Sequence, residues 1–414
     1  MNTDVLRARC LVRGAVLSAA SWVLCAASAS AQVAVRGDTV HTMAGAPIKD
    51  GVVLVGKDGK IERVGPASSV RIPTGYKLLR AKVVTPGLVD AHSVVGLAGY
   101  LNQPHDQMQV EVSAAIQPEL RAIDAYNARE TLVEWLRIHG VTTVHTGHAP
   151  GALVPGQTMV VKTRGDEVEQ AVIVPLASVA ATLGTGGLAG TGKSPGNRSK
   201  AVAMLRAELI KAKEYVDKLK GPEDKRPARD LKLEVLGKVL SKDVPLLVTA
   251  NRANDILTAL RLAKEFDIRI ILDSAAEAYV VAGQIKAANV PVILHATMSR
   301  AGGDSENMSM ESASTLQKAG ILVALQSGYE TYVPKTRVVL FEAAIAAANG
   351  LTFDQALATV TIDAAKIIGV DKRVGSLEAG KDGDLALFDG DPFEYVTHVT
   401  GVLIDGVVVS ETPQ

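Results

Sequence analysis

Between residues 141 and 368, short and continuously apolar segments alternate with amphipathic ones. No other feature restricts the fold as much. Val141–Val144, Pro245–Val248, Ile268–Leu272, Pro291–Leu294 and Ile321–Leu325 read as strands buried on both faces. Ala253–Phe266 places Ile256, Leu257, Leu260 and Ala263 on one helical face. Ala276–Ala288 and Phe353–Ile368 read as further helices, and Gly221–Asp230 as a polar surface loop. Continuous apolar strands bounded by helices predict a parallel sheet covered on both sides. About eight such units predict a closed (β/α)8 TIM-like barrel rather than an open sheet.

The flanks have a different texture. Gly51–Gly56, the turn Lys57-Asp58-Gly59-Lys60 and Ile61–Val64 predict a β-hairpin. At the other end, Asp384–Phe388 reads as a strand, and Val402–Val409 as a hairpin turning at Asp405-Gly406. The two ends are expected to pair. The predicted organisation is a composite β-sandwich from residues 32–82 and 373–414, enclosing a barrel at 83–372.

Residues 1–31 are expected to lie outside the fold. Arg7, Arg9 and Arg13 precede an apolar run from Ala15 to Ala27, which ends in Ala29-Ser30-Ala31. A charged start, a short apolar middle and a small-residue end describe a cleavable export signal, cut after Ala31. The run is shorter than the ~20 residues a transmembrane helix needs, and a buried N-terminal helix is the alternative. With this segment go both cysteines, Cys10 and Cys25. The expected product is a periplasmic or secreted protein with no disulfide, no thiolate ligand and no membrane span. Lys+Arg and Asp+Glu are 44 each. With no basic surplus to grip a phosphate backbone, nucleic acid is not an expected partner.

Thr85-Pro86-Gly87-Leu88-Val89-Asp90-Ala91-His92 resembles the opening barrel strand of the amidohydrolase superfamily. Arg373-Val374-Gly375-Ser376-Leu377-Glu378-Ala379-Gly380-Lys381-Asp382-Gly383-Asp384-Leu385 resembles its return into the small sandwich. The resemblance runs from about Val33 to Val409, and is nearest to imidazolonepropionase-like members. It implies hydrolysis of amide or other non-peptide C–N bonds. It also implies one or two divalent metals at the strand ends, which would acidify a bound water and polarise the scissile carbonyl.

The family's ligand positions are mostly filled here by other residues. Its first strand carries two histidines one residue apart, which share a side of the strand; here they are His92 and Val94. The fourth-strand lysine position falls at Ala180, the fifth-strand histidine at Thr249, the sixth-strand histidine at Ser274 and the eighth-strand aspartate at Gly328. Val, Ala and Gly offer no side-chain donor, and Thr and Ser hydroxyls are weak beside imidazole. His92 alone cannot hold a catalytic zinc, which takes three protein ligands. No cofactor is therefore expected.

A relocated zinc site at His92, His145 and His148 is the alternative, since these residues end the first two barrel strands. His295 ends the seventh, and the bland reading is that the imidazoles bond loop backbone and line a polar cavity. Asp273 reads as a helix cap or as a metal-free acid–base group. Asp90 and Glu277 match positions that the family keeps mainly for structure.

Gly187-Leu188-Ala189-Gly190-Thr191-Gly192-Lys193-Ser194 fits the phosphate-loop pattern. That chemistry needs a helix opening at the Lys-Ser end, but Pro195-Gly196-Asn197 delays the helix to about Arg198. A Gly-rich loop over the barrel mouth is expected instead, with Asn197 and Arg198 anchoring the next helix or reaching into the cavity.

Three functions follow. The first is a non-catalytic barrel that binds a small amide-like ligand, or pairs with itself or with an active homologue. The second is a metal-dependent hydrolase with a relocated centre, and the third a metal-free enzyme.

Overall fold

The computed structural model describes residues 32–295, 301–329 and 338–414. The predicted export signal, residues 1–31, lies outside them.

Seven strands from the two ends form one sheet. From the N-terminal side come β1 (Val33–Val40), β2 (Ile48–Val55), β3 (Ile61–Pro66) and β4 (Lys77–Pro86). A second sheet follows, with β5 (Leu88–Ser93), β6 (Val141–Gly147), β7 (Gly156–Lys162), β8 (Val172–Thr182), β9 (Leu246–Thr249), β10 (Ile270–Ser274), β11 (Val292–Leu294) and β12 (Val323–Leu325). The chain then returns through β13 (Leu385–Phe388), β14 (Val399–Ile404) and β15 (Val407–Ser410). The small sheet has the order β15-β14-β13-β4-β1-β2-β3, with β4 and β13 antiparallel, so the two ends of the chain do pair. Its strands share one apolar cluster reaching from Ile61 on β3 to Leu403 on β14.

The eight-stranded sheet runs in chain order from β5 to β12, and a bridge between Ser93 and Gly328 brings its two edges together. This is a TIM-like barrel with one departure from the predicted parallel order. β7 is antiparallel to both β6 and β8. The link from β6 to β7 is too short for a helical crossover, so the strand must return beside its neighbour.

Two predicted helices are also divided. Ser274 and Ala275 have φ of 67° and 53°, a left-handed turn at the end of β10. A 3-10 turn at Ala278–Val281 leads instead into a helix at Ala282–Ala288. Phe353–Ile368 is two helices, Phe353–Thr359 and Ile362–Ile367. Between them the Thr361 hydroxyl donates to the Leu357 carbonyl at 2.6 Å, and its backbone leaves the helical region. Ala253–Phe266 forms as predicted.

The barrel interior is layered. Val160, Leu247, Ile271, Ile293 and Ala324 pack with Val89 and Ala91, and against Ala364, Ala365 and Ile367. Two residues further toward the mouth, strand alternation places Thr249, Asp273 and Gln326, with Thr158 from the reversed β7. At the opposite end of β7, buried Lys162 bonds Asp384 at 2.5 Å, Asp382 at 3.0 Å and Asp405 at 3.2 Å. Asp382 and Asp384 belong to the returning segment, so this cluster ties the barrel to the small sheet. No described helix is long and apolar enough to cross a membrane.

Candidate functional site at the barrel mouth

Asp273, next to last in β10, is the centre of the mouth. His92 Nδ1 donates to its Oδ1 at 2.8 Å and Gln326 Nε2 to the same oxygen at 2.9 Å. Thr249 Oγ1 donates to Oδ2 at 2.7 Å. The residue is fully buried, which disfavours its charge, but the His92 ring and these donors outweigh burial and hold the carboxyl below its ordinary range. The expectation of a helix cap is corrected, because the donors around Asp273 come from β5, β9 and the end of β12. Glu277 accepts from Ala253 N at 2.7 Å, at the start of the preceding helix Ala253–Phe266, and from Asn307 Nδ2 at 2.7 Å. Asp90 accepts from Ser327 N at 3.0 Å and Ser327 Oγ at 2.5 Å, joining the first strand to the last.

The three histidines of the relocated metal site are placed separately. His145 Nδ1 must donate to the Ala91 carbonyl, 2.7 Å away, so its Nε2 accepts from Thr158 Oγ1 at 2.6 Å. Burial, with the neighbouring His92, pushes the His145 pKa down to about 3. His148 Nδ1 meets the Gln157 carbonyl at 3.1 Å, and its ring lies against Gly156, where a Cβ would come within 2.6 Å of it. The His92 and His145 ring centroids are 5.7 Å apart. Among the described residues, no group of three or more His, Cys, Asp or Glu side chains could hold a metal ion.

The family's metal positions fare no better. Val94 packs with Ala98 and Ala149. Ala180 lies buried beside Gly156. Thr249 is committed to Asp273, and Ser274 Oγ donates to Asn251 Oδ1 at 2.6 Å. Gly328 has φ of 92°, a conformation cheap for glycine and strained for an aspartate. His92 Nε2 is buried with no hydrogen-bond partner, and one imidazole nitrogen does not make a metal centre. These residues do not fit the group the family implies.

Sequence reasoning missed Tyr329. Its ring packs on the Val94 cluster and lies 5.1 Å from the His92 ring and 5.0 Å from the His295 ring. Its hydroxyl donates to Asp273 and meets the hydroxyls of Thr249 and Ser274. Burial raises its pKa well above the ordinary phenol value, and the Asp273 charge adds to the rise. The only signal in the sequence was its position after Gly328. Beside it, Asn251, Ser274, His295 and Met308 line a cleft of about 20 Å³, room for one water.

Asn197 caps the helix Arg198–Leu219, accepting from Lys200 N at 2.9 Å. Arg198 bonds Asp255 at 2.9 Å and Asp304 at 3.1 Å, and Asp304 also accepts from Thr185. The Gly-rich loop lines a groove of about 680 Å³ with Val112 and Gly151–Leu153. The helix opens four residues beyond Ser194, away from any phosphate-loop geometry.

A TIM-like barrel with imidazoles and carboxylates at its strand ends, joined to a sheet made from both flanks of the chain, is an architecture shared with amidohydrolases. The chain is similar to members of the amidohydrolase superfamily, and among them to imidazolonepropionases. The Amidohydrolase family model matches residues 317–409. An imidazolonepropionase of Brucella anthropi is 24% identical, over 87% of this chain and 91% of its own. One of Sphingopyxis alaskensis is 22% identical, over 85% and 90%. The crystal structure of an amidohydrolase from Thermotoga maritima MSB8 superposes with a TM-score of 0.84 and 29% identity, covering 92% of this chain and 100% of that one.

Proposed function

We propose that this protein is an exported amidohydrolase-fold protein that has given up the metal centre of its C–N-hydrolysing family, and that it works by binding. Its occupant is a small amide-like ligand or an active homologue. The observation that carries this reading is the bonding of Asp273 to His92, Thr249 and Gln326, with Val94, Ala180, Thr249, Ser274 and Gly328 standing at the family's ligand positions. The seven-stranded sheet corresponds to the family's small sandwich, and residues 1–31 direct the chain to the periplasm or beyond.

Elemental analysis of the purified mature protein tests the reading. The expected content is well below one zinc per chain, with no turnover of N-acyl amino acids, dipeptides or cyclic amides. Stoichiometric zinc lost on His145→Ala would establish the relocated centre at His92, His145 and His148 instead.

One observation favours a second, metal-free catalytic reading. With Nδ1 donating to Asp273, His92 keeps Nε2 without a partner, the arrangement of an oriented general base. Turnover that survives strong chelator and is abolished in His92→Gln would select it.

A further inference from the structure

Four of the five substituted positions share a neighbour. The cluster of Val94, Ala98 and Ala149 packs against Tyr329, Thr249 and Ser274 meet its hydroxyl, and Gly328 precedes it with the left-handed backbone that turns the chain there. His92, the retained family position, stacks obliquely on the same ring. Residues at four strand ends thus converge on one phenol, in the part of the barrel where the family places its metals. Four unrelated losses would leave no such complementarity.

We propose that Tyr329 is the built-in occupant of the barrel mouth, and that the pocket it fills takes small flat hydrogen-bond donors. This rests on the metal-free reading and names the chemistry of that same site. The shape requirement comes from the rings of His92 and His295, about 5 Å from the phenol centroid on either contact. The polarity requirement comes from the floor. Asp273 accepts from the phenol, and two further buried atoms, His92 Nε2 and Gln326 Oε1, have no partner. Gln326 Oε1 is an acceptor, as is the Asp273 carboxylate, so the floor presents acceptors to whatever fills the pocket. A donor is therefore held, while a carboxylate in the same place meets the Asp273 charge.

The test uses p-cresol, which has the atoms of the tyrosine side chain, and 4-methylbenzoate, which has its shape with a carboxylate. Tyr329→Gly leaves the pocket open. p-Cresol is expected to raise the melting midpoint of this variant saturably, by about 3 °C at high occupancy, and to leave the parent protein unchanged. 4-Methylbenzoate is expected to do nothing. A Tyr329→Gly protein indifferent to p-cresol, or stabilised equally by the benzoate, would overturn the proposal. If Tyr329→Gly does not fold, Tyr329→Phe carries the test: the ring is kept, so the variant folds, and the Asp273 network loses one donor. A midpoint equal to the parent's would then show that the hydroxyl is idle and would overturn the donor requirement. Metal content of the same preparations separates the two levels. Stoichiometric zinc in the parent defeats the metal-free reading, and with it this one. Metal-free protein that ignores p-cresol defeats the occupant alone.

Discussion

Asp90 and Asp273 are both fully buried at strand ends, and their surroundings move them in opposite directions. Asp273 has four side-chain donors and stays ionised. For Asp90, burial outweighs the donors Ser327 and His92, and its pKa rises to about 6. The unfolded chain would release that proton near its ordinary 3.8. Between those values the native state holds more protons, so stability falls as pH rises through the window. Asp90→Asn removes the fall. Relative to the parent, the variant is expected to gain up to about 3 kcal/mol in unfolding free energy between about pH 4 and pH 6. Urea titrations at those two pH values would read it, and a difference independent of pH would refute the Asp90 assignment. His145 gives a second check at this scale. With its pKa near 3 and its Nδ1 proton fixed by Ala91, its ring resonances should not move between pH 5 and pH 8 in a nitrogen-detected NMR titration.

Reversed β7 has two chemically different ends. Toward the mouth, Thr158 completes the His145 bond. At the other end, Lys162 enters a cluster of three aspartates. Burial lowers the affinity of Lys162 for its proton, but the three carboxylates more than compensate and keep it charged. Asp382, buried beside Lys162, Lys60 and Arg373, is held at about 2, whereas burial raises Asp384. Lys162→Met would leave these carboxylates without their shared cation. Removing one partner of a buried ion cluster costs about 3–5 kcal/mol. The loss should be largest at pH 7 and smaller at pH 5, because Asp384 then takes up a proton and sheds its buried charge. Chemical denaturation followed by circular dichroism at both pH values checks this, and a loss that grows on acidification would contradict it.

At the scale of the molecule, the small sheet from the two flanks of the chain is bonded to the barrel. β13 sits inside the small sheet between β4 and β14, and the segment before it supplies Asp382 and Asp384 to Lys162. A chain stopped after Lys381 is therefore expected not to fold, although every barrel strand is present. A soluble truncated protein with a native-like thermal transition would show that the barrel stands alone.

The alternating apolar strands and the 3.6-residue periodicity of Ala253–Phe266 made the barrel legible, because each residue's burial follows from its neighbours along the chain. The hairpins at Lys57–Lys60 and Asp405-Gly406 were legible for the same local reason. The substitutions at Val94, Ala180, Thr249, Ser274 and Gly328 could be read only as departures from a family pattern. What stands in the place of that pattern could not be read. The direction of β7, the grip of Asp273 on His92, Thr249 and Gln326, and the approach of Tyr329 to residues 80 and 235 positions earlier in the chain are contacts between distant segments. Local propensity carries no information about such contacts, and only closure of the barrel brings these side chains within hydrogen-bonding distance.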